Sequence, residues 1–492
     1  MKLSQLLSIY PQLKWGFSPT SDIKGIAFDS RAVEKGFVFV AVRGNSSDGH
    51  NYLNKAVEKG AVALIVEDEG KIPKSFGGAV VKVEDTRWAL EVLASRYFEA
   101  PAEKMFCVGV TGTNGKTTVC HLIEKVLGQG DFNCGVLGTI DHHLKEKVWT
   151  SELTTPDPVT LYRRLKEFVS LNANAVAMEV SSHALTQSRV DTLPFDVAVF
   201  TNLTRDHLDY HQTMENYFLA KQKLFNQLLG SSGKKSKFAI INYDDDYGRK
   251  MEVSGNSKLW TYGQSRSDFQ FQIVEQDFSG SIFMVETPRG PATVNIPLIG
   301  SHNIYNATAA LAVGVAAGMS LSNCVNALKT ATGARGRLDR VSNNKGLNVF
   351  IDYAHTNDAL DNVLSTLVGI RAKKSKRPKI ITVFGCGGDR DQGKRPLMGK
   401  IAYEKSDFIV VTSDNPRTED PGKIIKQILE FIPRDQKIRI EPDRKTGIEI
   451  GLNLAQKGDI VLIAGKGHED YQIIGEKKIY FSDHEVVKEV LG

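Results

Sequence analysis

Cysteine is scarce. The five residues, at 107, 120, 134, 324 and 386, are odd in number, widely spaced and mostly set in apolar runs. That pattern excludes a disulfide framework and reads as reduced core thiols of a cytoplasmic protein. Long hydrophobic runs are also missing. The longest apolar stretch, Ala307 to Met319, falls short of the roughly 20 residues that a membrane span needs and reads as a buried helix. The N-terminus, Met1 to Tyr10, has neither an extended apolar core nor a small-residue cleavage site, which excludes a secretion signal. Charge is nearly balanced, with a net of +5 over 492 residues. The single dense basic run, Arg371 to Lys379, reads as a solvated loop rather than a nucleic-acid patch. Neither a repeat nor a low-complexity segment is present.

What remains is a chain of ordinary globular composition, too long for one core. Three α/β domains are expected, over 1–100, 101–332 and 333–492. The first alternates short strands and helices, with polar turns at Asp29–Arg31 and Arg43–His50. The linker Glu99–Glu103 opens the second. Its strands Ala175–Val180, Asp196–Asn202 and Lys237–Asn242, separated by helical stretches, predict a parallel sheet with helices on both faces. Lys258 to Pro297 is richer in β-formers and predicts a small antiparallel sheet. The glycine-loosened hinge Gly333–Asp339 leads into a doubly wound third domain with strands at 348–355, 379–389, 407–414 and 459–465, each ending in charged or glycine-rich loop residues.

The second domain opens on its most informative segment. Met105 to Leu127 reads as a buried strand, a glycine-rich turn and a helix, with Thr111-Gly-Thr-Asn-Gly-Lys-Thr-Thr118 at the turn. Glycines at a helix N-terminus let the backbone approach an anion, Lys116 adds a charge, and Thr117 offers a hydroxyl to Mg²⁺. Val110 stands where the strict phosphate-loop pattern has its first glycine, so the reading rests on context and on Gly-Lys-Thr. A nucleoside triphosphate is the expected ligand.

Glu179, at the end of an apolar strand, is costly to bury without a cation and reads as a Mg²⁺ ligand. The loop Thr201 to His211 is too oxygen-rich and irregular for structural zinc. It fits a second Mg²⁺ or phosphate orientation by His207, with Asn202 and Asp206 equally suited to cap the next helix. Lys221 reads by default as a solvated helix lysine.

Together, Thr111–Thr118, Met178-Glu-Val-Ser-Ser-His183, Thr201–Asp209 and Asp352-Tyr-Ala-His355 closely resemble the Mur ligases, the ATP-dependent amino-acid-adding enzymes of peptidoglycan precursor synthesis. Gly385–Asp391, Asp414-Asn-Pro-Arg417 and Gly465–Tyr471 resemble the members that add the third residue. The resemblance spans essentially the whole chain. It implies a small N-terminal α/β domain for a UDP-sugar, a central P-loop parallel-sheet ATPase domain and a C-terminal Rossmann-like domain for the amino acid.

The resemblance also distributes the site residues. It puts ATP on Gly112, Thr113, Asn114, Gly115, Lys116, Thr117 and Thr118, with Asn303, Arg337 and Asp352 toward the nucleoside. Mg²⁺ falls to Thr117, Glu179 and His207, and to Lys221, which matches the family's carbamoylated lysine. Lys116, Glu179, His207 and Lys221 are thus the expected catalytic set. UDP-N-acetylmuramoyl-L-alanyl-D-glutamate falls to Phe28, Ser30, Asn45, Ser46, Ser47, Leu153, Thr154, Thr155, Ser181, Gln187 and Arg189. The incoming amino acid, meso-diaminopimelate, falls to Arg390, Asp414, Asn415, Pro416, Arg417, Gly465 and Glu469. Physical logic supports that choice over lysine, because the second carboxylate of meso-diaminopimelate can pair with arginine. The expected protein is a cytoplasmic monomer with no nucleic-acid or membrane partner. The competing readings are a lysine-adding or folylpolyglutamate-type ligase and, in a different class, a nucleotide-dependent switch.

Overall fold

The computed structural model describes residues 1–10, 22–44, 47–372, 374, 377–433 and 435–492. Asn45 and Ser46 of the expected sugar site, and Lys373, Ser375 and Lys376 of the basic run, lie outside the described residues. Two compact units emerge: 1–270 with 287–289 and 308–324, and 271–286 with 290–307 and 325–492.

The first unit begins with a four-stranded parallel sheet, β1 (Gly25–Ala27), β2 (Phe37–Val40), β3 (Ala63–Val66) and β4 (Ala79–Lys82), in that order. Asp85 caps the helix Thr86–Tyr97 through Arg87 N at 2.7 Å and Trp88 N at 3.2 Å. That helix faces two cores. Ala89, Leu90 and Leu93 pack on β2 and β3, while Ala94 joins Tyr162, Leu165 and Val190 of the neighbouring core. Each fully buried leucine contributes roughly 1.5–3 kcal/mol.

The larger sheet of this unit contains β5 (Phe106–Thr111), β6 (Cys134–Leu137), β7 (Asp141–Leu144), β8 (Lys147–Thr150), β9 (Ala175–Glu179), β10 (Val197–Phe200), β11 (Phe238–Asn242) and β12 (Lys258–Gly263). Their spatial order is β12-β11-β10-β5-β9-β6-β7-β8, and the strands from β12 to β6 are parallel. β9 and β10 are buried at every position, which is why they read as unbroken apolar runs rather than alternations. The chain passes from β5 to β6 by the helix Lys116–Leu127, leaving room for β9 beside β5. The ends of β9, β5 and β10 are therefore neighbours, with Val110 opposite Glu179 and Thr111 opposite Phe200.

Two expectations change here. Lys258–Gly263 joins the parallel sheet beside β11 instead of forming an antiparallel one, because the connection through residues 243–257 is long enough for a crossover. The antiparallel meander β6-β7-β8 was not anticipated at all.

In the second unit, β14 (Gly280–Glu286) and β15 (Ala292–Ile296) pair antiparallel. A six-stranded sheet follows, with β16 (Asp339–Val341), β17 (Asn348–Asp352), β18 (Ile380–Phe384), β19 (Phe408–Val411), β20 (Ile438–Ile440) and β21 (Ile460–Ala464) in the order β16-β17-β21-β18-β19-β20. All but β16 run parallel. Helices Asn357–Arg371, Lys394–Lys405 and Pro421–Ile428 contribute to one core, and Arg444–Leu454 and Asp483–Leu491 to the other, as a doubly wound sheet requires. A hairpin, β22 (Tyr471–Ile474) and β23 (Lys477–Tyr480), follows β21.

The apolar stretch forms the helix Ser301–Ala316, and no helix among the described residues is long and apolar enough to cross a membrane. All five cysteines are free and buried. Arg444 and Asp483 form a fully buried two-pronged pair, Nε–Oδ1 and Nη2–Oδ2 both 2.8 Å, and Arg444 also donates to the carbonyls of Ser413 and Ala464. Asp483→Ala leaves that guanidinium uncompensated, so the second unit is expected to lose roughly 3–5 kcal/mol. Urea unfolding checks this, and an unchanged midpoint would refute it.

Candidate active site

Gly112 and Gly115 set the backbone of the phosphate cradle. Gly112 has φ 149° and Gly115 φ 89°, and a side chain at Gly112 would run into Thr201 Oγ1. The loop is held from β10. Asn202 accepts from Asn114 N at 3.0 Å and donates to Asn114 O at 3.1 Å, and Thr201 Oγ1 donates to Asn114 O at 2.6 Å. Asn202 therefore clamps the cradle and caps no helix. His207 itself occupies the N-terminal position of the short helix Leu208–His211, and Asp206 accepts from its backbone N–H at 2.8 Å.

Lys116 folds back on its own loop, donating to the carbonyls of Gly112 and Thr113 at 2.9 Å each. Glu179 is buried at the end of β9. Its Oε1 accepts from Thr117 Oγ1 at 2.9 Å and Thr139 N at 2.8 Å, and its Oε2 from Thr139 Oγ1 at 3.1 Å. A threonine hydroxyl beside a fixed carboxylate is an all-oxygen donor pair, which fits Mg²⁺. Among the described residues no three His, Cys, Asp or Glu side chains are grouped to hold a metal. The protein's own oxygens at this point are therefore few, as they are where phosphate oxygens complete a Mg²⁺ shell.

Lys221 is not the solvated lysine of the default reading. It is 1% exposed, donates to Gly112 O at 2.9 Å and sits over the Tyr217 ring. Burial, reinforced by the nearby Lys116 charge, holds its amine well below the ordinary lysine range. His207 is half-exposed, 3.5 Å from the Asp206 carboxylate, and packs edge-on against His183. His211, held down at about 4 by burial, is neutral and meets Ser182 Oγ at 2.8 Å.

A cleft of about 750 Å³ in the first unit gathers Phe28, Ser30, Ser47, Leu153, Gln187 and Arg189 of the expected sugar site. Thr155 and Ser181 adjoin it: Arg189 donates to Thr155 O at 2.8 Å, and Thr155 Oγ1 is 3.2 Å from Ser181 Oγ. Thr154 Oγ1 lies 3.1 Å from Thr139 Oγ1, which links it to Glu179. Arg31, singled out only as part of a polar turn, lines the same cleft, and sequence reasoning missed Lys55 and Arg87 there, cations on separate helices.

In the second unit, Asn303 donates to Ile299 O at 2.9 Å, and the Asp352 carboxyl accepts from Leu338 N and Ala354 N. Burial raises the Asp352 carboxyl, against the pull of Arg337, which lies over the Tyr353 ring. The loops after β18, β19 and β21 lie at the carboxyl end of neighbouring parallel strands. Asp414 is buried with Oδ1 lacking a hydrogen-bond partner and Lys466 Nζ 3.6 Å away. Lys466, fully buried, contacts Asn415 Oδ1 and Glu469 Oε2 at 3.2 Å each, and Asn415 donates to Glu469 at 3.0 Å. Past Pro416, Arg417 has φ 51°, and its guanidinium donates to Gly388 O at 2.8 Å. Gly465 lies against Asp414, and Arg390 is exposed. Lys466 was missed although it lies inside a quoted motif, since nothing local marks a buried lysine.

The hairpin grips this loop. Arg417 N donates to Ile473 O at 3.0 Å, Gly475 N to Arg417 O at 2.7 Å, Ile473 N to Asn415 Oδ1 at 3.0 Å, and Gln472 Nε2 to Asp414 O at 2.7 Å.

By sequence and fold alike, the chain belongs to the Mur ligase family. The description "Mur ligase family, catalytic domain" matches residues 22–98, "Mur ligase middle domain" 110–314, and "Mur ligase, glutamate ligase domain" 336–467. Among curated relatives, a UDP-N-acetylmuramoyl-L-alanyl-D-glutamate--2,6-diaminopimelate ligase of Aquifex aeolicus is 45% identical over 470 residues, covering 96% of this chain and 94% of its own. The Listeria monocytogenes protein of the same name is 39% identical over 486 residues, covering 98% and 97%. A solved structure of a ligase of that name superposes with a TM-score of 0.73 at 32% identity, covering 100% of this chain and 98% of the other.

Proposed function

We propose that this protein is an ATP-dependent ligase that joins meso-diaminopimelate to the D-glutamyl side-chain carboxylate of UDP-N-acetylmuramoyl-L-alanyl-D-glutamate, yielding the UDP-tripeptide, ADP and phosphate. The carrying observation is the full-length likeness to ligases of that name. The buried Asp414–Lys466–Glu469 network beside Arg417 supports the acceptor assignment, because it offers a carboxylate to an ammonium group and a guanidinium to a carboxylate.

The cradle backbone and Lys116 hold the ATP phosphates. The γ-phosphoryl group passes to the glutamyl carboxylate, releasing ADP and leaving an acyl phosphate; the acceptor amine attacks the acyl carbon, loses a proton, and phosphate departs. No protein nucleophile is required, so the chain contributes positioning and charge stabilisation. Mg²⁺, held by Thr117 and Glu179, supplies charge neutralisation to the phosphates. Burial favours the uncharged form of the Lys221 amine, which carbamoylation requires, and we assign it the carbamate that would add a further anionic ligand. His207 stands at the edge of this group as an orienting residue. Asn303, Arg337 and Asp352 take the nucleoside, and the cleft from Phe28 to Arg189 takes the UDP-sugar peptide. The enzyme acts as a monomer in the cytoplasm, without nucleic-acid or membrane partners.

Phosphate release tests the reading, with ATP, Mg²⁺ and the UDP-dipeptide present and either meso-diaminopimelate or L-lysine added. Release dependent on meso-diaminopimelate is expected. Release with lysine alone overturns the acceptor, and release indifferent to any amino acid leaves a nucleotide switch.

A further inference from the structure

Glu91 has no role in the reaction just described, yet its carboxyl is fully buried and no Lys, Arg or His among the described residues pairs with it. Thr192 N donates to both its oxygens, at 2.7 and 2.9 Å, Thr192 Oγ1 to Oε1 at 2.9 Å, and Tyr162 Oη to Oε1 at 3.1 Å. Tyr162 Oη and Thr192 Oγ1 are themselves 2.6 Å apart, so two hydroxyl protons are shared among three oxygen–oxygen contacts. Burying a carboxyl without a counter-ion is expensive, and a leucine would pack the same space at less cost. The hydrogen bonds must therefore serve something besides stability.

The three elements that meet at Glu91 are three walls of the 750 Å³ cleft. Its own helix places Arg87, one turn earlier, and Leu90 on the cleft. Tyr162 lies one turn into the helix that begins at Pro158, and Asp157 and Pro158 line the cleft. Thr192 lies three residues beyond Arg189, which lines it together with Gln187. Each hydrogen bond at Glu91 thus fixes one wall within a turn of the residues that face the ligand.

We propose that Glu91 is a positioning residue for the UDP-sugar peptide, setting the separation between the Arg87–Leu90 wall and the Arg189 wall. The proposal rests on the assignment of the cleft to that substrate.

The titration of Glu91 offers a signature that packing alone lacks. Burial raises its carboxyl to about 8, assisted by the charge of Asp191 and opposed by the donors of Thr192 and Tyr162. The charged group acting on it is Asp191 on the loop, paired with Lys223 at 2.7 Å; Tyr162 faces it from the third element. Above pH 8 the two hydroxyls bring two protons to three oxygen–oxygen contacts, and one contact is left without a proton. Below it, the proton of the carboxyl completes the ring with the hydroxyls of Tyr162 and Thr192, and the clamp tightens. KM for the UDP-dipeptide therefore rises as pH rises through about 8. Stability runs the same way: the folded value lies above the unfolded one, so the contribution is present at low pH and is lost as pH rises through the folded value.

Wild type, Glu91→Gln and Glu91→Leu are compared by steady-state kinetics and by calorimetric binding of the UDP-dipeptide alone, which needs no turnover. Glutamine keeps an acceptor for Thr192 N–H and cannot titrate. It should bind within about threefold of wild type and give a flat KM profile from about pH 7 to 9. Leucine should weaken UDP-dipeptide binding about 10- to 30-fold, with kcat and the KM values for ATP and meso-diaminopimelate within about twofold. Unchanged binding by a folded leucine variant, equal loss for all three substrates, or the same pH profile in wild type and glutamine variant overturns the proposal. Should Glu91→Leu fail to fold, the glutamine pH profile decides. Absence of amino-acid-dependent phosphate release in wild type sinks the ligase reading instead, and the binding arm still decides the role of Glu91.

Discussion

Replacing Glu179 with glutamine is expected to lower phosphate release by about 100- to 1,000-fold, the range seen when one fixed electrostatic group is removed from a reacting centre. The geometry explains why the loss should be functional rather than structural. Glu179 Oε1 accepts from Thr117 Oγ1 and Thr139 N, and an amide oxygen of the same shape can accept both. The amide nitrogen, in place of Oε2, donates to Thr139 Oγ1 instead of accepting from it; beyond that reversal only the negative charge disappears, and with it the anionic half of the oxygen pair that suits Mg²⁺. The variant should melt near wild type and need a higher Mg²⁺ concentration for half-maximal rate. Steady-state assays across a Mg²⁺ series check this, and an unaltered kcat with an unaltered Mg²⁺ requirement would show that Glu179 has another purpose.

The second large effect belongs to the acceptor. Arg417→Asn should raise KM for meso-diaminopimelate by about 10- to 100-fold, since a charge-assisted hydrogen bond is worth roughly 1.5–3 kcal/mol. Asparagine is chosen because Arg417 has φ 51°, a left-handed backbone that asparagine tolerates better than most residues. Weak use of L-lysine should hardly change, so the preference between the two acceptors collapses. Competition between the two amino acids in one reaction measures this directly. An equal loss for both would mean that Arg417 merely supports the loop.

The cradle was legible in the sequence because its signal is local: Gly112, Gly115, Lys116 and Thr117 lie within six residues, directly after a buried strand that ends at Thr111. The doubly wound third segment was legible for the same reason, as its buried strands are unbroken apolar runs. Partners far apart in sequence were not. Asn202 read as equally suited to cap the next helix, yet it clamps Asn114 from the neighbouring strand. Lys221 read by default as a solvated lysine and Lys466 drew no reading, because burial is decided by elements distant in the chain. Glu91 lies on a helix of mixed composition, and nothing in its own segment announces Thr192 or Tyr162. The antiparallel β6-β7-β8 extension escaped because its strands are short and carry charged residues at Asp141 and Lys147.

The hairpin β22–β23 carries a consequence for fidelity. It fixes Asp414, Asn415 and Arg417 by main-chain and amide hydrogen bonds, yet its outer strand, Lys477–Tyr480, is exposed at every position. A two-stranded ribbon with one uncovered strand is marginal by itself and opens at a lower free energy than the sheet it flanks. The loop proposed to distinguish acceptors is thus fastened to one of the softer parts of the molecule, while the proposed ATP cradle stands on a sheet buried on both faces. Warming is therefore expected to relax the choice of amino acid before it impairs phosphoryl transfer, giving accuracy a lower thermal ceiling than speed.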